Sequence, residues 1–266
     1  MLREVGNRST FVGIVLAVAV GGLAPIVIGT ILASDHMLAH PTDFYGLIMR
    51  KSGLGLVFPL VVALPYAFAL SGQVSQNFLL YTRTRDGIGR TLGARFGASM
   101  VVGFTVGFLI ALMTYLWAYV AEPLLGLVTY RPGDMGLHTP AAVAADAAGA
   151  FTFSQLLPLG SWVFGIGYAV FLGLVGMLYS LATAACLIIM PNRFLALVTP
   201  WLVNEALTFA MAVVGLEAVS PNAFMPFNLT QLGLGTPFLP LVALVVATAA
   251  LVAVVIRRRF TWDTLL

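Results

Sequence analysis

Residues 161–189 read SWVFGIGYAVFLGLVGMLYSLATAACLII, with no acid, base or proline. A hydrocarbon core about 30 Å thick is crossed by roughly 20 apolar residues in a helix, which satisfies its own backbone where there is no water to do so. This stretch is long enough to cross. It belongs to an uncharged run at 147–192, and comparable runs occupy 9–34, 52–82, 96–121 and 218–256, with a further apolar stretch at 194–216 broken by Glu205. The pattern predicts an all-α, polytopic membrane protein with one transmembrane domain over 1–266. Its six helices are expected near 11–33, 53–71, 97–120, 161–189, 195–216 and 238–256. The longer runs leave room for additional short segments before the fourth and sixth helices.

Composition agrees. Of 266 residues 60% are hydrophobic and 9% charged, and the mean hydropathy is +1.01, whereas soluble domains carry about 25% charge. No stretch remains that could solvate an aqueous domain. A net charge of +3 is too small and too dispersed for nucleic acid. The one cysteine, Cys186, excludes an intramolecular disulfide and a cysteine-based metal cluster, and its apolar neighbours mark it as a packing residue. The first run follows Arg3 and Arg8 as a signal peptide would, but its apolar core exceeds the roughly 7–15 residues of such a segment. It reads as an uncleaved helix.

Basic residues set the orientation. With the N-terminus inside, Arg3, Arg8, Arg83, Arg85, Arg90, Arg95, Arg193, Arg257, Arg258 and Arg259 are cytoplasmic, and only Arg50, Lys51 and Arg131 are outside. Both termini are therefore expected in the cytoplasm. The outer segment 122–146, with Pro123, Pro132, Gly133 and Pro140, reads as an irregular loop leading into an Ala-rich helix. The outer segment 217–237 is broken by Pro221, Pro226, Gly233, Gly235 and Pro237 yet is uncharged after Glu217. Short interfacial helices are expected there, lying in or dipping into the outer leaflet.

Several constellations invite chemistry. Residues 77–90, NFLLYTRTRDGIGR, place Phe78, Leu79, Leu80 and Tyr81 directly before Arg83, Arg85 and Arg90. This is the pattern of a short amphipathic element at the membrane surface. Asp86-Gly87 and Arg90 lack the downstream acids of an intramembrane phosphotransferase. A P-loop requires Gly-Lys-Ser/Thr, and the only lysine, Lys51, follows Arg50. Any ATP-driven function needs a separate subunit. His36 and His40, beside Asp35 and Asp43, have the spacing at which two imidazoles share a helix face, but Pro41 is expected to end any helix there. The bland alternative is a polar cap on the first helix. Asn228-Leu229-Thr230 matches a glycosylation triplet. Asn204 and Glu205 lie within the fifth helix, where a carboxylate must face the bundle interior or a cavity, or be protonated. A structural tie and a place on a translocation pathway are both open. Gly160, Gly165, Gly167, Gly173 and Gly176 in and before the fourth helix favour close helix packing.

The order of these features resembles the membrane subunit of bacterial ABC-2 type transporters. The resemblance rests on Leu64-Pro65-Tyr66-Ala67-Phe68, on Phe78-Leu79-Leu80-Tyr81-Thr82-Arg83-Thr84-Arg85, on the turn Pro191-Asn192-Arg193-Phe194-Leu195-Ala196-Leu197, and on the broken segment before the last helix. It implies a multi-pass protein of the bacterial cytoplasmic membrane, working as a dimer with a second copy or a similar permease. A separate P-loop ATP-binding subunit would contact Phe78 through Arg85. ATP and Mg would belong to that subunit, and this chain would bind no cofactor and have no ATPase site of its own. The expected function is export of a hydrophobic or amphipathic substrate. The short stretch before the first helix leaves little room for the family's amphipathic elbow. Two rivals remain: a secondary carrier using Glu205, and a metal-dependent membrane enzyme using His36 and His40.

Overall fold

The computed structural model describes residues 8–75 and 88–263, and every regular element among them is helical. Six helices are long and apolar enough to cross a membrane: Ser9–Asp35, Leu54–Ser71, Gly89–Leu125, Ser161–Ile189, Arg193–Val213 and Phe238–Arg257. The third begins earlier than the expected 97, because Arg90 and Arg95 are helical and Arg95 is fully buried. The amphipathic stretch 77–90 falls mostly outside the described residues, of which only its last three positions are part.

The first span is α1 (Arg8–Val18) and α2 (Ala24–Leu32), joined by a π-helical turn Ala19–Leu23. Pro25 supplies the reason. In an unbroken α-helix its ring would strike the carbonyl of Gly21, and the wider turn relieves the clash. The same device recurs where α5 (Ile88–Leu116) passes through a π-helical turn Trp117–Ala121 into α6 (Glu122–Leu125). There Pro123 would strike Tyr119.

The centre of the bundle is α8 (Ser161–Ile189), packed on α5 and on α4 (Leu54–Ser75). The α5–α8 approach is set by glycine: a Cβ on Gly103 would lie 2.4 Å from the Gly176 carbonyl oxygen, and one on Gly107 2.6 Å from that of Leu172. Without a hydrophobic driving force between helices in lipid, such backbone proximity maximises dispersion contact. Ser99 and Ser180, both buried, share a hydrogen bond of 2.8 Å across the same seam. Outside this pair, α9 (Arg193–Val213) starts after a turn in which Asn192 Oδ1 accepts the Leu195 N–H at 3.1 Å, and α10 (Phe238–Asp263) completes the bundle.

One connection departs from expectation. Pro41 does not end a helix but opens one: α3 (Pro41–Lys51), with Pro41 in its first turn, where a missing N–H costs nothing. Phe44, Tyr45, Leu47, Ile48 and Met49 are all buried. Tyr45 meets Phe164, Tyr168 and Phe227 edge to face at 5.6, 6.3 and 5.6 Å. Burial pushes its phenol far above the usual 10.0.

The segments joining the spans gather at this same end, here termed the capped end. Glu122, fully buried, accepts the Val128 N–H on Oε1 at 2.9 Å and the Tyr130 hydroxyl on Oε2 at 2.6 Å, pinning the loop that follows. Burial, and then the Glu122 carboxylate, push the Tyr130 phenol well above 10.0. The expected Ala-rich helix is α7 (Pro140–Gly149), capped by Thr139 Oγ1 accepting from the Ala142 N–H at 3.1 Å. Residues 217–237 fold as three 3₁₀ turns, Glu217–Val219, Pro221–Phe224 and Pro226–Asn228, whose Phe224 and Phe227 enter the core. Gln155 Nε2 donates to the Leu232 carbonyl at 2.5 Å and Gln231 Nε2 to that of Ala148 at 2.6 Å, tying these connections together.

Candidate functional site

Three elements converge on Glu205. Asn204 and Glu205 are adjacent on α9, Tyr179 faces them from α8, and Asn222 reaches in from the 3₁₀ turn Pro221–Phe224. That turn is held by Phe224, whose ring lies 5.4 Å from Phe58 and whose carbonyl accepts the Tyr168 hydroxyl at 3.2 Å. Tyr179 donates its hydroxyl to Asn204 Oδ1. Asn204 Nδ2 in turn donates to Asn222 Oδ1 at 2.7 Å and to Glu205 Oε1 at 2.9 Å, while Asn222 Nδ2 lies 3.4 Å from both Glu205 oxygens. Asn204 is buried and Glu205 half-buried.

The chain of donors runs one way, from phenol to amide to amide to carboxylate. Among the described residues the Asn204 and Asn222 amides face Glu205 and no ion pair forms on it. A buried carboxylate is costly in low dielectric, and each such donor offsets part of that cost. The half-exposed carboxylate keeps acceptor capacity that the amides do not fill.

Two cavities adjoin the cluster. One, of about 280 Å³, lies between α8, α9 and α10 and is lined almost wholly by apolar groups, among them Val175, Val203, Leu207 and Leu241, with Tyr179 and Asn204 at its polar end. The other, of about 220 Å³, lies toward the capped end and is lined by Met49, Arg50, Gly55, Leu56, Asn222 and Phe227. The Asn204–Asn222 hydrogen bond joins a lining residue of the first to one of the second. Trp201 Nε1 donates to the Leu56 carbonyl at 2.8 Å, fastening α9 to α4 beside the second cavity.

Of the residues singled out from sequence, Asn204 and Glu205 are thus together and joined to groups that sequence reading missed, Tyr179 and Asn222. Residues Phe78, Leu79, Leu80, Tyr81, Thr82, Arg83, Thr84 and Arg85 lie outside the described residues. His36 and His40 do not share a helix face, because the chain between them is extended or turning: His36 adopts φ −123°, ψ 141° and His40 φ −161°, ψ 173°. His36 Nδ1 pairs with the Leu32 carbonyl at 2.8 Å, while His40 Nδ1 accepts the Thr42 N–H at 2.9 Å. No family model, curated protein or solved structure matches the chain.

Proposed function

We propose that this chain is the permease subunit of a bacterial ATP-driven transporter of the ABC-2 type, exporting a hydrophobic or amphipathic substrate. In this reading it occupies the cytoplasmic membrane with both termini inside, pairs with a second copy or a similar permease, and is driven by a separate P-loop ATP-binding subunit that carries ATP and Mg²⁺. The observation that carries the transport reading is the polar cluster that adjoins the two cavities. An amphiphile rests its tail against Val203, Leu207 and Leu241 and its polar end on Tyr179 and Asn204, with Glu205 joined to Asn204 behind them, and moves on by parting the Asn204–Asn222 bond. Breaking one neutral hydrogen bond costs about 1 kcal/mol, small beside the work of an ATP cycle. Residues 77–90 act as the coupling element, with Phe78 through Arg85 contacting the ATPase.

The test is purification of the chain from its native membrane. A P-loop ATPase should accompany it, ATP hydrolysis should follow the complex, and replacing Arg83 and Arg85 together should detach or uncouple the ATPase while the permease stays folded and inserted. Unaltered complex and transport in that double variant would remove 77–90 from coupling. A secondary carrier is the second reading, favoured by a carboxylate within an apolar span that forms no ion pair among the described residues. Transport that persists without ATP and collapses with the proton gradient would select it.

A further inference from the structure

We propose a divalent-cation site of the zinc type at the capped end, formed by His40, Asp43 and Asp146 and clasping α7 to α3. It is independent of the transport reading. One ligand atom from each of the three residues lies within 4.8 Å of the other two. His40 Nε2 is 3.9 Å from Asp43 Oδ1 and 4.0 Å from Asp146 Oδ2. The imidazole is 7% exposed, and its Nε2 is buried without a hydrogen-bond partner. A buried nitrogen left unmatched between two carboxylate oxygens is costly unless something joins them.

Ligand chemistry selects the ion. One imidazole nitrogen with two carboxylate oxygens suits Zn²⁺ and its neighbours, whereas Ca²⁺ and Mg²⁺ prefer all-oxygen sets. Tetrahedral ligands at about 2.0–2.1 Å from zinc stand roughly 3.3 Å apart, so the two separations from His40 Nε2 must each contract by a little over half an ångström, and the two carboxylates must close on one another as well. Asp146 is 44% exposed and can supply that movement. Asp43 is already oriented, since its other oxygen, Oδ2, accepts the Ala39 N–H at 2.9 Å, the kind of outer hydrogen bond that holds a ligating carboxylate in place. Water fills the fourth position from an adjoining cavity of about 620 Å³, lined by His40, Thr42, Tyr119, Val143 and Ala147 among others.

Tautomer balance sets the cost. Without metal, Nδ1 accepts the Thr42 N–H, so the ring proton belongs on Nε2. Coordination moves that proton to Nδ1 and frees the Nε2 lone pair, and Thr42 N–H turns to water. The loss is one helix cap, a factor of about five in an equilibrium constant. In return the ion anchors α7, a helix with no buried residue of its own, held at its C-terminal end by Ser154 and Gln231 on the Ala148 carbonyl.

Zinc titration of the purified full chain, against a chromophoric chelator, tests this. Wild type should bind about one Zn²⁺ per chain, and Zn²⁺ should slow amide exchange over 140–149. Asp146→Asn should weaken binding at least about tenfold and abolish the slowing; being half-exposed, it leaves the fold intact. His40→Asn retains a capping oxygen and should weaken binding likewise, while His36→Asn should bind as wild type does. Absence of binding by wild type, or unchanged affinity in Asp146→Asn, would overturn the site, as would a loss of binding in His36→Asn.

Discussion

The α8 and α9 spans are both apolar and neighbours in the chain, yet over the most apolar 18-residue stretch of each, 72% of residues are buried within the protein in α8 and only 11% in α9. Composition alone would not separate them. Their small and polar residues do. On α8, Gly173 and Gly176 press against α5 so closely that no side chain fits. On α9, Leu202, Phe209 and Val213 are exposed, while Asn204 is buried and donates to Glu205. One helix is scaffold; the other presents a polar group to a cavity.

The largest expected effect falls on the scaffold. In Gly176→Val the new Cβ would stand 2.5 Å from the Gly103 carbonyl oxygen, forcing α5 and α8 apart. Overpacking of this sort costs about 1–3 kcal/mol, and more where backbone rather than side chain must yield. Thermal unfolding in detergent should show loss of the folded state or a large fall in midpoint. Val213→Ala on the exposed face of α9 should stay within roughly 0.5 kcal/mol of wild type. Comparable losses at both positions would erase the distinction between the helices.

Next comes the polar cluster. Asn204→Leu strands the Tyr179 hydroxyl and removes two donors from Asn222 and Glu205, so it should cost about 1–3 kcal/mol. Tyr179→Phe should recover part of that loss when combined with it, which a double-mutant cycle on unfolding midpoints would read. Strict additivity would mean that the two residues do not act as one network.

A smaller effect is expected at the capped end. Tyr130→Phe removes the hydroxyl that Glu122 accepts, a loss of about 1–2 kcal/mol. The pH dependence has a definite sign. The folded-state phenol is raised above 10.0, so its contribution is complete below pH 10 and is lost as pH climbs above that value, where the unfolded chain ionises first. Unfolding followed between pH 9 and pH 11 should therefore fall less steeply in Tyr130→Phe than in wild type. An equal slope in both would show that this phenol does not govern alkaline stability.

Much of this was legible beforehand, for reasons visible residue by residue. The fourth span was expected at 161–189, and α8 has those bounds, because an uncharged run of that length has only one stable conformation in lipid. The third starts earlier than expected because the sequence places Arg90 and Arg95 on the cytoplasmic side of the span, whereas both are helical, Arg90 exposed and Arg95 fully buried in the bundle. The α3 helix escapes the sequence reading, which takes Pro41 as ending a helix, although Pro41, Asp43 and the closing Arg50-Lys51 are ordinary start and stop signals; packing of Tyr45 against Phe164, Tyr168 and Phe227 buries it. Glu205 was found because an acid in an apolar run is expensive. Tyr179, Asn222 and Asp146 were not, since each matters through a partner 17 or more positions away that only folding brings near.

The claim that α9 carries the transport site rests on Glu205, and one substitution tests it directly. Glu205→Gln keeps the size and hydrogen-bonding capacity of the side chain and removes the charge. Reconstituted with the ATPase, this variant should assemble as wild type does while its transport, or the stimulation of ATP hydrolysis by substrate, changes. Wild-type values in both assays would contradict the account and leave Glu205 as a structural tie.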